Sequence, residues 1–262
     1  MTQNGSGAGI MRLVTERSDI LQALNEGHQT QTELSEEIGV SVSSISRYLG
    51  DLEERSLVTR SDSRYLLTGR GKRLLASFER FSKEVDYHCR VDRAIQSFDG
   101  YLDYESPILE GCDVAFSDDR APSSALNLIK NDVKSASHIQ SLFYQALTSV
   151  FEAHIEILRR TDQRVRFVFP DELGDTLRSA FSEDIEELSQ YQEFELYLTD
   201  VDVEYSVTVA VTEDGSKSAW VMSHTSSGVH AIIRSESEQA VEWAETQIEH
   251  ALTTAEQIES HD

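Results

Sequence analysis

This chain is organised around the stretch Thr30–Arg73, which has the sequence TQTELSEEIGVSVSSISRYLGDLEERSLVTRSDSRYLLTGRGKR. Thr30 and Glu33 have the spacing of a capping box, which predicts a short helix that begins there and ends at Gly39. Ser41 is a natural N-cap for a second helix. The apolar residues of that helix recur at three- and four-residue spacing and must face the core: Val42, Ile45, Leu49 and Leu52.

The other side of this second helix carries short hydrogen-bonding side chains and one guanidinium group. A helix N-terminus of this kind can approach phosphates and base edges closely. After the helix, Leu57–Arg60 and Arg64–Thr68 flank the polar tip Ser61–Ser63, a pattern that predicts a β-hairpin. The candidate DNA-binding residues are Ser41, Ser43, Ser44, Ser46, Arg47, Arg60 and Arg64.

The order helix, helix, turn, helix, hairpin resembles winged helix-turn-helix transcription regulators of the archaeal ArsR and TrmB type. The residues that carry the resemblance are Leu34-Ser35 and Ile38-Gly39, Ser41–Leu52, and around the wing Leu57-Val58 through Leu66–Thr68 with Gly71. In this family the second helix, here Ser41–Leu52, is the recognition helix. The resemblance implies that its N-terminal half enters the major groove of double-stranded DNA. Arg60 and Arg64, which flank the wing tip, would then meet the DNA backbone or the minor groove.

The charge of the chain is unusual in its size and its distribution. The 262 residues hold 23 Lys and Arg against 47 Asp and Glu, a net charge of −24, and only five of the basic residues are lysine. Such a composition favours a protein of a salt-loving archaeon, with an ordinary acidic protein as the alternative. Residues 76–262 carry −23 of this charge, whereas residues 38–73 carry +3. A polyanion could be accommodated at residues 38–73, unless the clustering is chance.

Cysteine usage and hydropathy narrow the class of protein further. Cys89 and Cys112 are the only cysteines, and no CxxC or His-rich spacing accompanies them. This argues against a zinc site or a disulfide scaffold and fits a reducing cytosol. No segment approaches about 18 consecutive apolar residues, and the N-terminus lacks a charged-then-apolar leader. We therefore expect a soluble, cytoplasmic protein without cofactor, metal or membrane partner.

From Gly111 onward the sequence alternates predicted strands and helices. The strands are Cys112–Phe116, Ile139–Phe143, Val165–Phe169 and Phe194–Leu198, and the helices are Pro122–Ala136, Gln145–Arg160 and Asp171–Gln190. The alternation predicts right-handed crossovers onto a largely parallel sheet. Period-two patterns then predict an antiparallel meander at one side of the sheet, made of Tyr205–Val211, Ala219–Ser223 and Val229–Ile233. A long amphipathic helix, Glu236–Ile258, closes the chain.

This second half is similar, in its order of elements and its closing segment Gln239–Ala244, to the effector domain of haloarchaeal winged-helix regulators. That domain is also described in a methanogenesis regulator. Related TrmB-type effector domains look like phospholipase D folds that have lost catalysis. The resemblance covers Cys112–Ile258 and implies sensing without identifying the ligand. The expected fold class is α+β, with an N-terminal winged helix-turn-helix and a C-terminal α/β mixed-sheet domain, for which the resemblance allows a degenerate phospholipase D-like fold.

The sequence offers no recognisable catalytic site. A phospholipase D-like enzyme needs a His-x-Lys pair, because the imidazole is the nucleophile and the lysine holds phosphate. None of the eight histidines is followed two positions later by lysine, and His154 comes nearest to the pattern. The Walker, GxGxxG, HExxH and GxSxG motifs are also missing. We therefore expect no enzyme activity.

A ligand pocket is expected beyond the end of the predicted strand Val165–Phe169, because ligands bind outside the carboxyl ends of strands in open α/β sheets. The candidate ligand-binding residues there are Phe143, Tyr144, Arg166, Pro170 and Asp171. A basic cluster could hold an anionic metabolite or form ion pairs with nearby carboxylates: Arg159, Arg160, Arg164 and Arg166. Three histidines could bind a ligand or sense pH, or be structural: His138, His224 and His230.

These patterns divide the chain into four predicted parts. Residues 1–10 are disordered, 11–86 form the DNA-binding domain, 87–110 a connector with a short helix around Val91–Phe98, and 111–262 the effector domain. The first helix is predicted at Thr15–Asn25. The exit helix Lys72–Val85 is a dimer seam or packs on the second domain.

The function expected from these parts is that of a homodimeric, sequence-specific transcription regulator of a halophilic archaeon. It would bind a pseudo-palindromic promoter site, and a small ligand or a partner at the second domain would modulate that binding. The alternative is an interaction scaffold that uses the winged helix for protein contacts and binds no DNA.

Overall fold

The computed structural model describes residues 7–27, 29–118, 120–121, 124–226 and 228–258. The chain forms two compact units, Met1–His88 and Cys89–Asp262. Among the described residues, no helix combines the length and the apolar composition that crossing a bilayer requires.

The described residues of the first unit form helices and one β-hairpin. Its elements, with the helix that leaves it, are α1 (Gly7–Glu16), α2 (Ser18–Glu26), α3 (Gln31–Ile38), α4 (Val42–Glu54), β1 (Val58–Ser61), β2 (Arg64–Leu67) and α5 (Gly69–Gln96). The two strands pair antiparallel, with Val58 opposite Leu67 and Ser61 opposite Arg64. The predicted succession of helices and hairpin over residues 30–73 is therefore present.

Local capping signals set the ends of α3. The Thr30 hydroxyl accepts a hydrogen bond from the backbone N–H of Glu33 at 3.2 Å, and the Glu33 carboxylate accepts one from the Thr30 N–H at 2.7 Å. Gly39 ends the helix with a φ of 76°, a conformation that glycine adopts without strain. The core beneath includes fully buried side chains from α2, α3, α4 and the residue before β1: Leu21, Leu34, Ile45, Leu49, Leu52 and Leu57.

Three expectations for the start of the chain are corrected. Gly7–Ile10, expected to be disordered, lie in α1, while the rest of that segment lies outside the described residues. The single helix expected at Thr15–Asn25 is replaced by α1 and α2, because Arg17 between them has φ −127° and ψ 22°. Val42, expected in the core, is 43% exposed. It lies in the first turn of α4, about 60° from the centre of the buried stripe.

The exit helix is longer than the sequence pattern indicated. The predicted helix Lys72–Val85 lies within the continuous α5, and so does most of the predicted helix around Val91–Phe98, because α5 ends at Gln96. In the second unit, the segment after α5 also contributes buried apolar side chains, namely Phe98, Leu102 and Ile108. The residues expected to form a connector therefore belong in part to a hydrophobic core.

The second unit is built on one eight-stranded sheet. Its elements after α5 are β3 (Asp113–Phe116), α6 (Lys130–Ser135), β4 (Ala136–Leu142), α7 (Thr148–Leu158), β5 (Arg164–Pro170), α8 (Gly174–Ala180), α9 (Ser182–Leu188), β6 (Phe194–Thr199), β7 (Ser206–Thr212), β8 (Lys217–Thr225), β9 (Gly228–Ser235), α10 (Glu238–Leu252) and β10 (Glu256–Gln257). The strand order is β10-β6-β5-β4-β7-β8-β9-β3.

The sheet is mixed rather than largely parallel. Among the described strands, β4 pairs parallel with β5 and β5 with β6, whereas the other neighbours are antiparallel. The predicted meander β7–β8–β9 is present, and its short connections force antiparallel pairing. The predicted α+β class, with a helical N-terminal domain and a C-terminal mixed sheet, is confirmed.

Each face of this sheet packs against helices. On one face, aromatic side chains of α7 and β5 form the centre of the core: Phe151 stacks on Phe181 at 4.9 Å and contacts Phe167 and Phe169 at 6.0 Å. Helix α10 packs on β4, β7 and β8. Its buried residues are small or aliphatic: Ala240, Val241, Ala244, Ile248 and Ala251.

Three predicted helices of the second unit are shorter or divided in the structure. Asp171–Gln190 is divided into a short 3-10 helix, α8 and α9, with a break at Phe181, which turns towards Phe151. Glu236–Ile258 ends at Leu252, because the residues after it pair with the edge strand β6. Within Pro122–Ala136, Pro122 lies outside the described residues, and a 3-10 helix and α6 precede β4.

Candidate functional site

The start of α4 presents a cluster of serine hydroxyl groups. Ser41 caps the helix, since its side chain accepts a hydrogen bond from the Ser44 N–H at 3.3 Å. Its hydroxyl lies 3.0 Å from those of both Ser43 and Ser44. Ser43 and Ser46 are exposed, and Ser44 is half-buried. Because the apolar stripe beginning at Ile45 faces the core, these hydroxyls lie on the solvent side of the helix.

Positive charge on α4 is gathered around the ring of Tyr48. The exposed Arg47 has its guanidinium carbon 5.1 Å from the ring centroid, and that of Arg17 lies 3.8 Å from the same centroid. Both distances suit cation–π contacts. Arg17 precedes α2 and is not among the predicted DNA-binding residues, because nothing in its local sequence indicates that it reaches α4.

The hairpin arginines are held by the protein itself. Arg60 donates from Nε to the carbonyl oxygen of Asp62 at 2.8 Å, and its guanidinium lies 5.7 Å from the Tyr65 ring. Arg64 forms a two-pronged ion pair with Glu33, with distances of 2.9 and 3.1 Å. Of the two predicted wing contacts, Arg64 is thus engaged with a carboxylate of α3.

Glu33 links the start of α3 to the hairpin. The backbone N–H of Thr30 is the main reason why the pKa of Glu33 lies below its ordinary value, and the Thr30 hydroxyl and Arg64 lower it further. The cap and the ion pair therefore both favour the ionised carboxylate. One side chain both caps α3 and restrains Arg64.

Gln31 is a residue of this surface that sequence reasoning missed. Its side-chain amide donates to the Tyr65 hydroxyl at 3.0 Å and lies 3.4 Å from the Ser46 hydroxyl. It therefore connects α3, α4 and β2. No spacing in the sequence indicates contacts made over 15 and 34 residues.

The five predicted ligand-binding residues do not surround one cavity. Phe143 is buried in the aromatic core, 5.0 Å from Phe167. Tyr144 is 41% exposed, and its ring lies 5.6 Å from that of His224. Arg166 donates to Glu195 at 2.6 Å. Pro170 and Asp171 lie at the end of β5, where Asp171 is exposed.

The basic cluster of the second unit is largely paired with carboxylates. Three of its four arginines form ion pairs: Arg159 with Glu187, Arg160 with Glu156 and Arg166 with Glu195. This arrangement matches the ion-pair alternative for the cluster. Within the described ranges, no group of three or more His, Cys, Asp or Glu side chains could hold a metal ion.

A cavity of about 570 Å³ lies in the second unit, between the sheet and the helices α6 and α7. Its walls are mainly apolar, and of the five predicted ligand-binding residues it includes only Phe143. Three cationic side chains stand at its exposed edge: Lys130, Lys134 and Arg160. Its size lies within the range of about 300–1,000 Å³ that is usual for small-molecule sites.

Polar side chains form the inner end of this cavity. Thr208 donates to the Ser141 hydroxyl at 2.9 Å. The imidazole of His154 contacts the Val150 carbonyl through Nδ1 at 2.8 Å, and burial lowers the pKa of His154 to about 4. Nε2 of His154 and Nε1 of Trp220 are buried and have no hydrogen-bond partner within the described part of the chain. One imidazole nitrogen and one indole N–H are therefore without a hydrogen-bond partner among the described residues beside the cavity.

Family comparisons match most of the chain. Residues 7–90 match the family model described as the HVO_A0261 N-terminal domain. Residues 122–254 match the family model described as the middle domain of the methanogenesis regulatory protein FilR1. No curated protein matches the chain significantly.

Solved structures offer only distant similarity. TrmBL2, described as an archaeal chromatin protein with a novel mode of DNA binding, is 13% identical with a TM-score of 0.41, covering 97% of this chain and 100% of its own. Nuc from Salmonella typhimurium, a phospholipase D family member, is 13% identical with a TM-score of 0.44, covering 56% and 97%. NucT from Helicobacter pylori is 12% identical with a TM-score of 0.42, covering 55% and 96%. At TM-scores below 0.5, these similarities support no conclusion about fold or function.

Proposed function

The chain belongs to the family of the middle domain of the methanogenesis regulatory protein FilR1, and from this premise we propose that it is a transcription regulator that binds promoter DNA through its first unit. The observation that carries the DNA-binding part is the exposed start of α4. Ser43, Ser46 and Arg47 lie there on the solvent side of a helix whose other side is buried. Short hydroxyls and a guanidinium at a helix N-terminus can donate to phosphates and base edges in a major groove.

The hairpin completes this proposed winged helix. Arg60 and Arg64 lie at the two sides of its tip, where they would meet the DNA backbone or the minor groove. Residues 38–73 carry a net charge of +3 in a chain of −24, which concentrates attraction for a polyanion at this surface.

The proposal includes a homodimer on a pseudo-palindromic site. Two apolar side chains of the first unit are exposed on α5, Phe81 by 48% and Val85 by 42%, and a second copy could cover them. Two copies related by a twofold axis would present two α4 helices to two half-sites.

The proposed host is a halophilic archaeon. The net charge of −24 and the small number of lysines support it. In about 1 M salt the screening length falls to roughly 3 Å, so the acidic second unit repels DNA only at short range. Because the same salt removes much of the gain from counterion release, direct hydrogen bonds from α4 would carry more of the affinity.

The second unit is proposed to modulate DNA binding when a small ligand or a partner binds to it, without catalysis. No histidine of the chain has the lysine two positions later that a phospholipase D-type site uses. The proposed role of the unit is therefore that of a sensor.

The DNA-binding proposal is tested by selecting bound fragments from a random double-stranded library in molar KCl. We expect one inverted repeat to be enriched. The variant Ser46→Ala/Arg47→Ala should bind it about tenfold to a hundredfold more weakly, since a good base contact is worth about 1–3 kcal/mol. The matched variant Arg178→Ala/Ser179→Ala changes the same residue types at exposed positions of α8 in the second unit and should bind as the unmodified chain does. Failure to enrich any sequence would contradict the proposal and favour the protein-contact alternative.

The ion pair between Glu33 and Arg64 leads to a second prediction. Glu33→Gln keeps a side chain that can complete the capping box but removes the charge that restrains Arg64. We expect up to about tenfold tighter binding to the selected DNA. The slope of log affinity against log salt concentration should become steeper by the amount that about one additional phosphate contact gives. Fluorescence anisotropy over a range of KCl concentrations measures both. Glu36→Gln makes the same charge change on α3 away from Arg64, and equal effects of the two variants would show that releasing Arg64 contributes nothing.

A further inference from the structure

We infer that the cavity beside α6 and α7 binds a small organic acid, with the apolar body of the ligand inside and its carboxylate at the lysine-bearing mouth. This inference names the chemical class of ligand for the proposed sensor unit. The regulatory role of that ligand rests on the proposed function. The site differs from the predicted one at the end of β5. It is defined by α6, α7, β4, β7 and β8.

The walls of the cavity determine the body of the ligand. Ile129, Val133, Ile139, Ile157 and Met222 are among the apolar side chains that line it. A sugar carries hydroxyl groups on every side and would leave most of them without partners against such walls. A branched or aromatic hydrocarbon group fits them, because its burial removes apolar surface from water on both sides.

The inner end of the cavity offers a few polar groups. His154 is 5% exposed and Trp220 is 2% exposed, and each has a buried ring nitrogen without a hydrogen-bond partner among the described residues. Buried polar groups in proteins are usually paired, so two unpaired groups at one cavity are an uncommon arrangement. The pair Thr208–Ser141 lies on the same lining. One hydroxyl or carbonyl group on the body of the ligand would find donors and acceptors here.

The mouth of the cavity determines the charge of the ligand. Lys130 and Lys134 lie one turn apart on α6, so their side chains share a face of the helix. They are two of only five lysines in a chain of net charge −24. Among the ion pairs of the described residues neither lysine has a carboxylate partner, whereas the third cation, Arg160, is paired with Glu156 at 3.2 Å. The mouth therefore carries an excess of positive charge, which favours a ligand with an anionic group such as a carboxylate.

Binding can be followed in the full chain through Trp220 itself. The chain has two tryptophans, so Trp243→Phe leaves Trp220 as the only indole reporter. The probes are phenylacetate and 4-methylvalerate, with phenylacetamide, glucose and inorganic phosphate as comparisons. We expect saturable changes in Trp220 fluorescence with the two acids, roughly threefold to tenfold weaker binding of the neutral amide, and none with glucose or phosphate.

Two pairs of variants locate the site. Lys130→Gln/Lys134→Gln should weaken binding of the acids roughly threefold to tenfold, whereas Lys217→Gln, which alters a lysine paired with Glu245 outside the cavity, should not. Ala153→Phe fills the cavity from an exposed position on α7 and should abolish binding. Ala180→Phe makes the same change at an exposed position of α8 outside the cavity and should leave binding intact. Calorimetry confirms each affinity without depending on fluorescence.

Each outcome bears on a different claim. If neither acid binds, if Ala153→Phe binds them as well as the unmodified chain does, or if phosphate or glucose binds equally well, the inference is overturned. If the acids bind at the cavity but the selected DNA is not recognised, the site stands and the proposed function fails. If the chain binds the acids and the selected DNA, but the acids leave its DNA affinity unchanged, the ligand site stands and the regulatory link fails.

Discussion

Replacing Gly71 by alanine is expected to destabilise the first unit by about 3 kcal/mol. A Cβ atom at this position would lie 2.1 Å from the carbonyl oxygen of Leu57 and 3.1 Å from a methyl group of Leu67. The carbonyl cannot easily withdraw, because the backbone N–H of Thr68 donates to it at 3.0 Å. The Thr68 hydroxyl, which donates to the Ser56 carbonyl at 2.7 Å, also lies 3.1 Å from it. Relief of the clash would have to separate the start of α5 from the hairpin.

Urea unfolding followed by circular dichroism measures this effect, and amide hydrogen exchange assigns it to the first unit. Gly69→Ala is the matched control, since its nearest added contact is an ordinary 3.9 Å to the Arg73 side chain. Gly50→Ala places a methyl group in open space on α4 and should stabilise the helix by about 1 kcal/mol. A Gly71→Ala chain as stable as the Gly69→Ala chain would show that the packing of α5 against Leu57 is looser than described.

Protonation of His154 is expected to destabilise the second unit by roughly 3 kcal/mol as the pH falls from 6.5 towards 4. Burial lowers the pKa of this imidazole from 6.5 to about 4. In that window the unfolded chain binds a proton that the folded chain excludes. The stability that the neutral His154 contributes is therefore fully present above pH 6.5 and is lost as the pH falls towards 4. The charged groups that share the cavity lining with His154 are Lys130, Lys134, Arg160 and Glu156.

The measurement is the unfolding free energy of the chain and of His154→Leu at several pH values in this window. His224 has its pKa lowered to about 4 by burial and contributes in the same range, so the difference between the two chains is the informative quantity. His154→Leu should show a pH dependence smaller by about one proton. Leu158→Ala, a buried replacement on the same helix, should lower stability equally at every pH. A His154→Leu chain with an unchanged pH dependence would place the proton elsewhere.

The sequence of residues 30–73 carries enough local information to predict most of that region. Thr30 and Glu33 form the capping box that their spacing indicates, and Ile45, Leu49 and Leu52 are buried as their periodicity requires. The meander in the second unit was equally predictable, because alternating residues and short turns are local features. Where the signal lies within a few residues, the predicted elements agree with the structure.

Helix lengths in the second unit depended on contacts between distant segments. The apolar and acidic pattern of residues 171–190 is compatible with one helix. In the structure the Phe181 ring stacks on Phe151 of α7, and the helix is interrupted at Phe181. The closing helix ends at Leu252, because the residues after it form β10, which pairs with β6 at the edge of the sheet. Helical periodicity contains no information about either partner.

The sequence alone thus determined the order of elements around α4, the serine and arginine side chains on its exposed face, and the concentration of negative charge in the second half. Only the tertiary structure decided that Arg64 is held by Glu33, and that His154, Trp220 and the lysines of α6 line one cavity. The physical reason is the range of the interactions. Caps, turns and periodic stripes act over a few residues, whereas the ion pair and the cavity depend on how separate helices and strands pack.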